Sequence, residues 1–74
     1  MKILLVEDDI PLAEGLKHSL HRENYAIDWV TTGQLAISAV RTGDIELLIL
    51  DLGLPDMDGL EVLRRIKHLN DNLP

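Results

Sequence analysis

Two apolar runs that each end in acids, with amphipathic segments after them, predict an α/β fold built on a parallel sheet. Ile3-Leu4-Leu5-Val6 is followed directly by Glu7-Asp8-Asp9, and Leu47-Leu48-Ile49-Leu50 by Asp51. Runs that are apolar at every position belong to strands covered on both faces, as in a parallel sheet flanked by helices. The order of elements reads β-α-β-α-β-α with short links, which implies right-handed crossovers between parallel strands. In open sheets of this kind, ligands bind beyond the carboxyl ends of the strands, where both sets of acids fall.

The elements follow in order. After the first strand, Asp9 precedes Pro11, a proline suited to the first helical turn because its missing N–H is no loss there. Leu12, Leu16 and Leu20 then recur at i, i+4, i+8 with Ala13 alongside, one apolar stripe on a helix that runs to about Glu23. Tyr25 to Val30 has the β-branched and aromatic content of a short strand, and its polar Asp28 suits a sheet edge. Thr31 or Thr32 caps a second helix whose apolar face is Leu35, Ala36, Ala39 and Val40. That helix stops at Thr42-Gly43, where glycine takes the left-handed conformation, and being short and Ala-rich it is expected to be held less firmly than the first. The third strand leads into a loop bracketed by Pro55 and Gly59. Asp58 caps a third helix with Leu60, Val62, Leu63 and Ile66 on its apolar side and Arg64, Arg65 and Lys67 towards its C-terminal end. Asn70 to Pro74 is turn chemistry.

Bulk properties narrow the function. A chain of 74 residues makes at most one small domain, and a chain near that size buries only about 60% of its unfolded surface. A net charge of -6 repels phosphate backbones and favours cations or basic partners, so direct nucleic-acid binding is not expected. With no cysteine there is neither a disulfide framework nor a thiolate metal site. The first apolar run is too short for a signal peptide or a membrane span, and the expectation is a soluble, cytoplasmic protein with no membrane partner.

If the first and third strands are neighbours, Glu7, Asp8 and Asp51 converge at one edge. Three like charges that close do not all stay ionised unaided; either one takes up a proton or a cation binds. Oxygen donors with positions left for water and phosphate suit Mg²⁺ at a phosphoryl-transfer site, and a carboxylate is itself a competent nucleophile towards phosphorus. Singly, each acid is better explained as a solvated strand end, a helix cap or, for Asp51, a turn residue; together, at the ends of two fully apolar strands, they favour the functional reading. Other patterns fall away on spacing. Asp56-Met57-Asp58-Gly59 is not a calcium loop, because aligning Gly59 with the loop glycine puts Leu54 at the first ligand position and Arg65 where the bidentate acid belongs. His18 and His21, with Glu14, read as a solvated helix face, and Trp29 as packing.

Val6-Glu7-Asp8-Asp9, taken with Leu48-Ile49-Leu50-Asp51-Leu52-Gly53-Leu54-Pro55-Asp56-Met57-Asp58-Gly59, closely resembles the receiver domain of bacterial two-component response regulators. The likeness runs from Met1 to Pro74 and is strongest to the transcription-factor branch typified by OmpR and PhoB, within it to the PmrA and QseB group. The resemblance implies a truncated flavodoxin-like (CheY-like) fold with strand order 2-1-3. It also implies that Asp51 is the phosphoacceptor for a sensor histidine kinase, with Mg²⁺ as cofactor. Asp8 and Asp51 would ligate the ion directly, Glu7 through water, and Gly53 by its backbone carbonyl; Met57 would pack under the loop shaped by Pro55 and Gly59.

A whole receiver of this kind has strand order 2-1-3-4-5. Residues 1–74 correspond to the N-terminal portion of a single such domain, without the last two strands, the hydroxyl residue and lysine they carry, or a DNA-binding domain. The third strand is then expected at an edge, unpaired along Leu47 to Leu52, where a long apolar strand invites self-association by pairing or exchange of elements. Two rival readings remain. One is a fragment that associates but is never phosphorylated. The other is a haloacid-dehalogenase-like phosphatase, which needs a second acid two residues after the nucleophile, a position that Gly53 occupies here.

Overall fold

The computed structural model describes residues 1–74. Its elements are β1 (Lys2–Val6), α1 (Ile10–Arg22), β2 (Ala26–Val30), α2 (Gly33–Thr42), β3 (Leu47–Leu50) and α3 (Gly59–Leu69). The three strands form one parallel sheet, as the apolar runs predict, in the order β2-β1-β3 that the resemblance implies. The central strand, β1, is the most buried one, and Ile3 to Val6 are essentially inaccessible to solvent. Alternation along β1 sends Leu4 and Val6 to one face, where they join Ala36, Ile37, Val40, Val62 and Ile66 of α2 and α3 in the main core. Ile3 and Leu5 lie on the other face, under α1.

Helix ends follow local chemistry. Asp9 caps α1 through the Leu12 N–H at 3.2 Å, Thr32 rather than Thr31 caps α2 through Leu35 N–H at 3.2 Å, and Asp58 caps α3 through Leu60 N–H at 3.1 Å. Gly43 ends α2 at φ 83°, the left-handed conformation that glycine adopts without strain.

The relative hold on the helices is the reverse of the expectation. The Leu12-Leu16-Leu20 stripe leaves Leu12 51% exposed, and α1 fully buries only Ala13. The shorter α2 buries Gly33, Ala36, Ile37 and Val40, because it is wedged between β1 and α3 and so has apolar neighbours on two sides. Its buried face is also rotated from the expected one, with Ile37 in the core and Leu35 half exposed. On α3, Val62 and Ile66 carry the burial while Leu60 and Leu63 stand outward.

The outer edge of β3 is not bare along its length. The Leu48 N–H donates to the Pro74 carbonyl at 2.9 Å, and the Leu52 carbonyl accepts from the Gly59 N–H at 3.2 Å. Leu73, only 5% exposed, joins the core, and Lys67 Nζ donates to the Asp71 and Leu73 carbonyls at 3.2 Å each. The turn-rich segment after α3 therefore lies against β3, because one buried leucine and one backbone bond draw it back. Between these two anchors the polar groups of Leu50 face away from β1 by the alternation of a parallel ladder.

The loop between β3 and α3 is fixed by a close backbone approach. A Cβ placed on Gly59 would sit 2.4 Å from Leu52 Cα, which is main chain and cannot swing aside. Gly59→Ala is expected to destabilise the chain by about 1–3 kcal/mol, the usual cost of overpacking. Urea unfolding measures this, and an unchanged midpoint would mean that the loop and the strand end are free to separate.

Candidate functional site at the carboxyl edge of the sheet

Register is what gathers the acids. Val6 of β1 lies opposite Leu50 of β3 and Val30 of β2, so the strands end level. The ladder then runs one residue further on each side: the Asp51 N–H donates to the Val6 carbonyl at 3.0 Å and the Glu7 N–H to the Val30 carbonyl at 3.1 Å. Glu7 and Asp51 are thus held by main-chain bonds at the point where each leaves the sheet. Glu7, Asp8 and Asp51 each present a carboxylate oxygen within 4.8 Å of the other two. They form the one such group of three or more His, Cys, Asp or Glu side chains in the chain.

The three environments differ. Glu7 is only 7% exposed and is the sole buried charged residue; its Oε1 accepts the Asp9 N–H at 2.9 Å. Asp8 is exposed and Asp51 half-buried, and Asp51 Oδ1 accepts the Gly53 N–H at 3.2 Å. Gly53 therefore stands beside Asp51 through its amide. Asp9 is spent on the α1 cap and lies outside the group. His18 and His21 line a hollow between α1 and β2 with Glu14, Lys17 and Ile27, and none of them joins the acid group.

Hard oxygen donors, one side open to water and no soft ligand make this group chemically suited to Mg²⁺, with Glu7, Asp8 and Asp51 the residues to hold it. A carboxylate pinned on one oxygen, as Asp51 is by Gly53, still offers the other for attack on an electrophile.

Sequence reasoning missed one buttress of this edge. Asp56 reaches from the β3–α3 loop to the start of α2, where its carboxylate accepts the Gly33 N–H at 2.8 Å and the Gln34 N–H at 3.0 Å. Its partners lie 23 and 22 residues earlier, beyond any local capping pattern. Met57 and Leu54 pack against the core below the loop, as expected for Met57.

The two backbone N–H bonds from Gly33 and Gln34 hold the Asp56 carboxyl below its ordinary pKa of 3.8. With the folded value depressed, the clamp stabilises the chain fully above 3.8, and that contribution is lost as pH falls through the lower, folded value. Thermal unfolding followed through the acid range is expected to show a shallower acid loss in Asp56→Ala than in the parent, from a lower starting Tm. Parallel acid profiles would show that the clamp does not form in solution.

Residues 3–74 match the model of the response regulator receiver domain family. The transcriptional regulatory protein BasR of Escherichia coli K12 is 49% identical over all 74 residues, which cover 33% of BasR. The response regulator protein PmrA of Pseudomonas aeruginosa is 44% identical over 68 residues, 92% of this chain and 31% of PmrA. The chain thus spans about a third of the length of these relatives. Among solved structures, the response regulator TrrA from Thermotoga maritima, in complex with Mg²⁺-BeF, superposes with a TM-score of 0.91 at 35% identity, covering 96% of this chain and 62% of TrrA. TrrA is also solved in complex with the histidine kinase ThkA, and there the TM-score is 0.90. By sequence and by fold, the chain belongs to the receiver domain family of two-component response regulators.

Proposed function

We propose that Asp51 is the phosphoacceptor of a two-component phosphorelay and that Glu7, Asp8 and Gly53 complete its site. The observation that carries this reading is the convergence of the Glu7 and Asp8 carboxylates on Asp51 at the carboxyl edge of the sheet. An Asp51 carboxylate oxygen attacks the phosphorus of a kinase phosphohistidine. A P–O bond forms as the P–N bond breaks, and the imidazole leaves with the electron pair and takes up a proton. Mg²⁺, when bound, neutralises charge on the phosphoryl oxygens. Asp8 and Asp51 would ligate it directly, Glu7 through water and Gly53 through its carbonyl. Support comes from TrrA, whose solved complexes contain Mg²⁺-BeF in one case and a histidine kinase in another.

Residues 1–74 are, on this reading, the N-terminal portion of one receiver domain. The relatives named transcriptional regulatory proteins support a parent that acts on DNA through a separate domain, and a cytoplasmic location is consistent with that role. No helix of this chain is long and apolar enough to cross a membrane. The chain is a phosphoacceptor and not a turnover catalyst, since Gly53 stands where a phosphatase of the rival class needs its general acid.

Incubation with Mg²⁺ and acetyl phosphate, followed by intact mass, is expected to add one phosphoryl group to the parent chain and none to Asp51→Asn. Catalytic release of phosphate without an adduct would favour the phosphatase, and an unmodified chain would favour the non-phosphorylated fragment.

A second reading has its own observation. An apolar hollow of about 340 Å³ lies along β3, lined by Leu48, Leu50, Leu52, Leu63 and Leu73, beside the unpaired backbone of Leu50. A partly open, leucine-lined edge favours pairing with a second copy. Light scattering across a concentration series is expected to show mass rising above that of one chain, and a strict monomer at high concentration would exclude it.

A further inference from the structure

Trp29 plays no part in the acid chemistry described so far, yet its side chain reaches the site. The β1–β2 ladder runs from Lys2 opposite Ala26 to Val6 opposite Val30, and the Glu7 N–H extends it to the Val30 carbonyl. In a parallel ladder the next bond would join the Glu7 carbonyl to the N–H of residue 32. Thr32 has already left the sheet to cap α2. The Trp29 indole Nε1–H donates to the Glu7 carbonyl instead, at 2.9 Å, and so closes the ladder with a side chain where the main chain has turned away.

Glu7 is consequently fixed at three atoms: its N–H by Val30, its carbonyl by Trp29 and its Oε1 by the Asp9 N–H. The Glu7 carbonyl belongs to the peptide plane that also carries the Asp8 nitrogen, so the indole bond orients the backbone of both acids. The ring is itself held from α1, where the Lys17 ammonium stands 5.2 Å from its centroid, within cation–π range.

We propose that Trp29 is a positioning residue for the acid cluster, holding the Glu7–Asp8 peptide so that both carboxylates stand beside Asp51 before any cation arrives. An arrangement made in advance removes an ordering cost that cation binding would otherwise carry. This inference rests on the reading of the cluster as a Mg²⁺ site.

Two variants test it. Trp29→Phe keeps a ring and removes the donor, and a 3-benzothienylalanine replacement keeps the indole shape with sulfur in place of the N–H. Calorimetric titration with Mg²⁺ is expected to show affinity about three- to tenfold weaker than the parent in both, the size expected for one lost hydrogen bond. The benzothienyl chain is expected to unfold a little below the parent, the cost of the one unmade bond, and to remain fully folded at the temperature of the titration. In the parent, the single indole N–H resonance is expected to shift as Mg²⁺ is added. A benzothienyl chain that binds Mg²⁺ like the parent, or weakens only in step with lost stability, overturns the positioning role while leaving the metal site standing. A parent chain that takes up no Mg²⁺ overturns the reading of the cluster, and this inference with it.

Discussion

The site depends on the parallel register between β1 and β3. Val6 and Leu50 lie level, and one further bond from the Asp51 N–H to the Val6 carbonyl carries the pairing into the acids. A slip of one residue in either strand would send the apolar side chains of that strand to the opposite face. Leu4 and Val6 would then leave the core shared with α2 and α3. The hydrophobic pattern that folds the sheet is therefore also what sets three carboxylates together.

Holding like charges in one place has a cost, and the surroundings of the cluster show how the chain offsets it. The buried Glu7 is bonded through main chain and side chain, Asp51 is met by the Gly53 amide, and Asp8 keeps contact with water. Around them the loop after β3 is anchored at both ends, by Gly59 against Leu52 and by Asp56 across the start of α2. Loop residues that bracket the acids are thus tied to the same core that sets the strand register. Elsewhere the chain is less tightly held: α1 fully buries only Ala13, and the outer side of β3 is closed only by Pro74 and by the chain at Gly59.

Much of this was legible in the sequence, because the strongest signals are local. Ile3 to Val6 and Leu47 to Leu50 need no partner to be recognised as doubly covered strands, and the acids follow them directly. Asp9 and Asp58 stand where helix caps belong. What the sequence hid lies in contacts between distant residues. Whether Leu35 or Ile37 faces inward depends on how α2 rotates against α3, and Asp56 on a separate loop helps set that rotation. Trp29 reads as packing until the turn at Thr32 leaves the Glu7 carbonyl in need of a donor. The return of Leu73 and Pro74 to β3 involves too few residues to show any periodicity.

Backbone amide spectra recorded during a Mg²⁺ titration test the central claim most directly, namely that β1 and β3 assemble one cation-binding site from Glu7, Asp8 and Asp51. Shifts are expected to concentrate at residues 7–9 and 51–53 and to vanish in Asp8→Asn. Shifts centred on His18 and His21, or none when Mg²⁺ is in large excess over the protein, would contradict it.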